Sequence, residues 1–159
     1  MTRTEFIQKY THHVIASSAG TGLFPSLFMA QAILESSNSK GIPGASSLAR
    51  LYNNFFGIKA DKSWKGKVVN LKTREVFNGK DVIITDGFRV YDNPLESFYD
   101  RVKFLTDNPR YKAVLTAPTP LLQAMELKKA GYATDPKYAE ILQSIIKTNN
   151  LFELDQKKK

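Results

Sequence analysis

Apolar positions recur along this chain at two periods, and the change between them divides it into regions. Phe6, Tyr10, Val14 and Ile15 keep helical spacing, and Thr2 with Glu5 has the spacing of a capping box, so a helix is predicted up to Ser17 or Ser18. Ser18 to Gly22 breaks the pattern. Pro25 suits a first helical turn, Phe24 can staple it, and the apolar run beginning at Leu27 is long enough for about three turns ending near Glu35. A loop rich in Gly, Pro and Ser follows over Asn38 to Ser46, then a short helix over Ser47 to Tyr52.

Beyond Trp64 the period changes. Lys67 to Phe77 and Asp81 to Tyr91 are rich in Val, Ile, Thr and Phe, and the Asn78-Gly79 pair between them is a strong hairpin signal. A small β lobe is predicted there, mobile over a cleft, because an isolated two-stranded element is only marginally stable. Helical spacing then returns. Asn93-Pro94-Leu95-Glu96 supplies a cap and a Pro at the first turn, and Leu95, Phe98, Val102 and Leu105 form a core stripe that Asp107-Asn108-Pro109 ends. Arg110 to Leu115 is a short helix, and Thr119-Pro120 starts another that Gly131 terminates. Thr134-Asp135-Pro136 caps a last helix with Tyr138, Ile141, Leu142, Ile145 and Ile146 inside, while residues 151–159 read as a polar, flexible tail. Phe88 and Tyr91 are expected in the core.

Composition adds bounds. At 159 residues, with 42% hydrophobic and 24% charged residues, the chain is expected to be a single soluble domain, mainly α with a small β-hairpin lobe. It has no cysteine, which excludes disulfides and thiolate metal sites. His12 and His13 are adjacent and face different ways on a helix, so neither a metal nor a cofactor is expected. No apolar run reaches the roughly 17 to 25 residues of a membrane span. A net charge of +8 and a pI near 9.6 favour an anionic partner. The basic residues are dispersed and no nucleic-acid motif appears, so nucleic acid is not the expected partner; the chain is expected to be a monomer.

Glu35 carries the chemistry. It is the one acid of an otherwise uncharged helix and shares an apolar face with Phe28 and Ala32 at i, i+4, i+7 spacing. Burial disfavours the ionised carboxylate, and the negative end of the helix dipole adds to the effect, so both push its pKa upward. A carboxyl still protonated near neutral pH can give a proton to a leaving group. Downstream, Asn54, Phe55 and Phe56 combine an amide with paired aromatics in a setting that suits a sugar cleft, and Trp64 and Phe55 are candidate sugar platforms. Glu75 lies on the first arm of the hairpin. Tyr132 stands between two helices.

Ala30-Gln31-Ala32-Ile33-Leu34-Glu35, then Ser47-Leu48-Ala49 and Asn53-Asn54-Phe55-Phe56-Gly57-Ile58-Lys59, resemble the glucosaminidase family of peptidoglycan hydrolases, family 73 of the glycoside hydrolases. Thr73-Arg74-Glu75, Phe88-Arg89-Val90-Tyr91, the Ser97 to Leu105 helix and Gly131-Tyr132-Ala133-Thr134-Asp135-Pro136 with Tyr138-Ala139 just beyond continue the likeness in order over most of the chain. One departure stands out: Ser36-Ser37-Asn38-Ser39 occupies the place where many members have Ser-Gly-Trp-Gly, so a Trp that often lines the cleft is missing. The resemblance implies a lysozyme-like α+β fold and an endo-β-N-acetylglucosaminidase that cleaves the β-1,4 glycan strand, with Glu35 as general acid. For the other face of the sugar it leaves two routes: Glu75 as base for water, or attack by the substrate's own acetamide assisted by Tyr132. Substrate contacts are expected from Asn54, Phe55, Phe56, Trp64 and Asp135. Muramidase specificity, or a non-catalytic peptidoglycan-binding module of the same fold, are the rival readings. Such an enzyme works outside the cytoplasm, periplasmic or secreted. Met1 to Phe6 lacks the pattern of a secretory signal, so a trimmed chain, or phage-type or other signal-independent delivery, is expected.

Overall fold

The structure, a computed structural model, describes residues 1–157. Helix α1 (Arg3–Ser18) opens with a complete capping box, Thr2 Oγ1 accepting from Glu5 N–H at 3.1 Å while Thr2 N–H donates to the Glu5 carboxylate at 3.0 Å. Helix α2 (Pro25–Glu35) follows, and from Pro25 to Ile33 every residue is buried. A helix that is apolar nearly all round has to be enclosed on every side. Accordingly α2 runs through the centre of the molecule, against α1, α6 (Pro120–Lys129), α7 (Tyr138–Thr148) and a C-terminal 3₁₀ segment (Leu151–Lys157).

Two polar devices fix α2 in place. Its N-cap residue Phe24 has no side chain able to cap, and Asp155 supplies the carboxylate instead, accepting from Ser26 N–H at 2.8 Å and Ser26 Oγ–H at 2.7 Å. The buried amide of Gln123 on α6 donates to Gly22 and Val114 carbonyls and accepts from Phe24 N–H. Gly22 is required in this turn: its φ is +90°, and a Cβ there would lie 2.0 Å from the Leu115 carbonyl oxygen.

The short α3 (Ser47–Tyr52) is capped by Ser46 and ends at Asn53 in the left-handed conformation. Strands β1 (Val68–Phe77) and β2 (Lys80–Arg89) then form an antiparallel hairpin in register from Val68↔Arg89 to Phe77↔Lys80. Asn78 and Gly79 both have positive φ, as a two-residue primed turn demands. The hairpin is tied to the helical body at its base, where Ala60 N–H donates to Gly87 O at 2.9 Å and Arg89 N–H to Ile58 O at 3.1 Å. Its tip stands clear, with Val76, Phe77 and Ile83 exposed. Helix α4 (Pro94–Asp107), capped by Asn93, lays Phe98, Val102 and Leu105 into the core.

The predicted helices and hairpin are all present, with three differences. The expected helix from Arg110 to Leu115 is a 3₁₀ turn (Pro109–Tyr111) followed by one turn of α5 (Lys112–Leu115). Helix α7 begins two residues past Pro136; Asp135 instead accepts from Lys137 N–H at 2.8 Å and organises the turn before it. The flexible tail expected at 151–159 is corrected for its described part. Leu151 and Leu154 are buried and Asp155 caps α2, so apolar contact and a long-range cap hold a segment that looks polar in sequence. Lys158 and Lys159 lie outside the described residues. Among the described residues no helix is long and apolar enough to cross a membrane.

Candidate active site

Glu35 ends α2 where the buried helix reaches a surface groove, so its backbone belongs to the core and its carboxyl to the opening. Burial pushes its pKa above the ordinary value near 4.5, against the opposing pull of the Arg101 cation and a hydrogen bond from Tyr138. That bond comes from the first residue of α7: the Tyr138 hydroxyl donates to Glu35 Oε1 at 3.1 Å and accepts from Gln31 Nε2 at 2.9 Å. Gln31 lies one helical turn before Glu35, so the relay is built on the same helix. Desolvation raises the Tyr138 phenol as well, which keeps it a neutral donor.

Glu35 borders two cavities. The larger, about 380 Å³, is lined by Phe56, Arg101, Phe104, Tyr132, Lys59 and Asp61. The smaller, about 250 Å³, is lined by Ser46, Leu48, Asn54, Leu71 and Thr73. Tyr132 faces the larger cavity with its ring under the Arg101 guanidinium, 4.1 Å from the ring centroid. Burial pushes the Tyr132 phenol up to about 12. It is therefore a hydrogen-bond donor at neutral pH. The second acid at this cavity, Asp61, is shifted the other way: hydrogen bonding from Ser63, then the Arg89 cation 3.1 Å away, hold its carboxyl below the usual range.

Glu75 sits on the groove-side face of β1, opposite Val82, and its partner is Lys59 at 3.7 Å. Lys59 binds Asp86 more closely, at 3.0 Å, and the Asp86 hydrogen bond is the main reason its pKa is raised. Thr73 Oγ1 reaches both carboxylates at 3.4 Å. Lys59 thus belongs to the cavity of Glu35 and to the acidic face of the hairpin. The loop after α2, where the missing Trp would stand, is knit by small polar groups. Ser36 Oγ accepts from Gly44 N–H at 2.9 Å, and Asn38 Oδ1 accepts from Lys40 and Ile42 N–H, both at 3.0 Å.

The expected substrate contacts divide. Phe56 borders the larger cavity of Glu35 but is itself only 4% exposed and packs on Phe28 and Phe98. Phe55, its neighbour, borders neither cavity: it is 3% exposed and packs against Phe6, Tyr10 and Phe98, so it is a core residue rather than a sugar platform. Asn54 borders the smaller cavity beside Glu35, but its amide is committed to backbone, donating to Ile58 and Arg89 carbonyls and accepting from Ile58 N–H, and it clasps the loop to the hairpin. Trp64 lies in neighbouring hollows against α4, its indole N–H donating to Lys67 O and its face covered by Arg89 at 5.0 Å. Asp135 is exposed and holds its turn. Sequence reasoning missed Arg101 and Tyr138 as site residues. Both sit on core stripes, Arg101 three residues after Phe98 and Tyr138 four before Leu142, and a cation on an apolar stripe was the available signal. No group of three or more His, Cys, Asp or Glu side chains suited to a metal occurs among the described residues.

Comparison with known proteins places the chain in a family. Residues 11–151 match the family described as Glucosaminidase: mannosyl-glycoprotein endo-beta-N-acetylglucosaminidase. The chain is 41% identical over 149 residues to the peptidoglycan hydrolase FlgJ of Salmonella typhimurium, covering 89% of this chain and 45% of that protein. It is 35% identical over 156 residues to the exo-glucosaminidase LytG of Bacillus subtilis, covering 95% and 53%. The chain therefore spans about half the length of these relatives. Its fold is similar to the crystal structure of the catalytic domain of the autolysin Auto from Listeria monocytogenes, with a TM-score of 0.82 at 31% identity over 96% of this chain and 87% of that one.

Proposed function

Because the chain belongs to the glucosaminidase family, we propose that it hydrolyses the glycan strand of bacterial peptidoglycan on the reducing side of N-acetylglucosamine, with Glu35 as general acid. The observation that carries this is the placement of Glu35. A carboxyl at the end of a buried helix, raised in pKa by burial and bordering two cavities, is suited to give a proton to a glycosidic oxygen. The names of the relatives, peptidoglycan hydrolase and exo-glucosaminidase, support the substrate class. That substrate lies outside the cytoplasm, so the enzyme acts there.

Glu35 gives its proton to the bridging oxygen as the C1–O bond breaks. On the opposite face of the sugar two groups are poised differently. Tyr132, neutral and braced by Arg101, can hydrogen-bond a substrate acetamide that attacks C1. Glu75 can take the proton of a water, provided that the hairpin brings it in and Lys59 releases it. The position of Tyr132 at the cavity of Glu35, with its ring braced by Arg101, favours the acetamide route. The half-buried rings of Phe104 and Tyr132 at this cavity offer apolar surface to the sugar rings.

Mass spectrometry of the products released from purified peptidoglycan tests the reading. New reducing-end N-acetylglucosamine is expected, as internal cuts for an endo-acting enzyme and as terminal release for an exo-acting one. New reducing-end N-acetylmuramic acid would make the enzyme a muramidase. No release would leave a binding module.

A further inference from the structure

Arg101 is an unusual side chain to find in the centre of this molecule. It is 0% exposed, its Nε and Nη2 have no hydrogen-bond partner, and none of the ion pairs among the described residues includes it. Its guanidinium is surrounded by rings, with Tyr132 at 4.1 Å, Phe104 at 5.6 Å and Phe56 at 5.7 Å. A buried cation without a partner is costly, and cation–π contact offsets only part of that cost. The side chain lines the cavity that Glu35 borders. The missing partner is therefore a negative charge that this cavity holds for only part of a catalytic cycle.

We propose that Arg101 is a positioning residue, the buried countercharge that receives Glu35 as a carboxylate once its proton has left, while it braces the Tyr132 ring beside it. The proposal rests on Glu35 being the general acid. In that reaction the Glu35 proton goes to the glycosidic oxygen, the C1–O bond breaks, and its electron pair stays on the departing sugar. Water supplies the hydroxyl that ends on C1, and the remaining proton of that water restores the Glu35 acid by way of the base or solvent. Between those events the site holds one more negative charge than before. Arg101 lowers the free energy of that interval and so eases proton release.

Other groups around Glu35 cannot take this part. Tyr138 from α7 and Tyr132 from the end of α6 are neutral phenols. Lys59 faces the larger cavity but is held by Asp86 and Glu75 and is largely exposed. Asp61 has the wrong sign and pairs with Arg89. Lys72 borders the smaller cavity from an exposed position on β1, where solvent screens it. Arg101 is left as the buried cation that lines the same cavity and whose charge acts on Glu35.

The test is the pH profile of kcat on peptidoglycan for Arg101→Met and Arg101→Lys. Without the cation the Glu35 acid holds its proton more tightly, so the alkaline limb of the Arg101→Met profile should move up by about one pH unit, the lower end for a nearby opposite charge. Its plateau should fall roughly 10-fold to 100-fold as the carboxylate loses its support. Arg101→Lys should return the limb to within a few tenths of a unit. Should Arg101→Met not fold by circular dichroism, Arg101→Gln, planar and polar but uncharged, serves for the same reading. A folded neutral variant with the alkaline limb unmoved, or a Lys variant that fails to restore it, overturns the proposal and makes Arg101 structural. Glu35→Gln separates the two readings. If that variant still hydrolyses, the assignment of Glu35 fails; if it is dead and the Arg101 limb is unmoved, the countercharge alone fails.

Discussion

The helical body and the hairpin each carry one of the two glutamates considered for the chemistry, and they hold it by opposite means. Glu35 ends a helix whose residues from Pro25 to Ile33 are all buried, and its carboxyl meets a phenol, aromatic walls and a cation without a partner. Glu75 stands on a strand with a lysine beside it and water around it, on an element joined to the body at its base. The first environment raises a carboxyl's pKa by taking solvent away. The second leaves the carboxylate at a half-exposed strand position with a salt bridge of small energy.

The sharpest way to break this contrast is substitution at each glutamate. Glu35→Gln keeps shape and hydrogen-bonding reach but has no proton to give. Hydrolysis should fall toward the upper end of the roughly 100-fold to 10,000-fold range for loss of an acid or base, with circular dichroism and glycan binding unchanged. At Glu75 the outcome chooses between routes. If the acetamide attacks, Tyr132→Phe should cost more than Glu75→Gln, which should lose less than roughly 10-fold; a loss of roughly 100-fold or more at Glu75 would make it the base.

Stability should follow the same division. Phe28→Ala, in the core of α2, should cost about 3–5 kcal/mol in denaturant unfolding. Phe77→Ser at the exposed hairpin tip should change it by no more than about 0.5 kcal/mol. A large cost at Phe77 would mean that the hairpin is part of the cooperative core.

Local rules made most of the framework legible. Pro25, Pro94 and Pro120 mark the helix starts where they stand, and Asn78-Gly79 makes the turn that those residues require. Glu35 was legible because an acid at the end of an apolar run is a local conflict. What could not be read depends on contacts distant in sequence. Phe55 and Phe56 look alike in sequence and both are buried in the core, yet only Phe56 also borders the cavity of Glu35, because helix α4 and Tyr10 enclose Phe55. The C-terminal segment was read as frayed since nothing local reveals that Asp155 caps a helix 129 residues away. Tyr138 and Arg101 reach Glu35 only once α4 and α7 have packed.

A further expected effect concerns stability and pH. Glu35 has a folded pKa above its unfolded value near 4.5, so its contribution is full below that value and is lost as pH rises through the folded pKa. Glu35→Gln escapes the loss. It should therefore unfold at higher denaturant than wild type at neutral pH, by about 1.4 kcal/mol for each pH unit of displacement, and the gap should close below about pH 4.5.

Glu35 as an acid kept protonated by burial is tested most directly by carbon-13 NMR titration of its carboxyl, assigned by the signal that vanishes in Glu35→Gln. A midpoint clearly above 4.5, coinciding with the alkaline limb of hydrolysis, is the expected result. A midpoint at or below 4.5 in an active protein would contradict it.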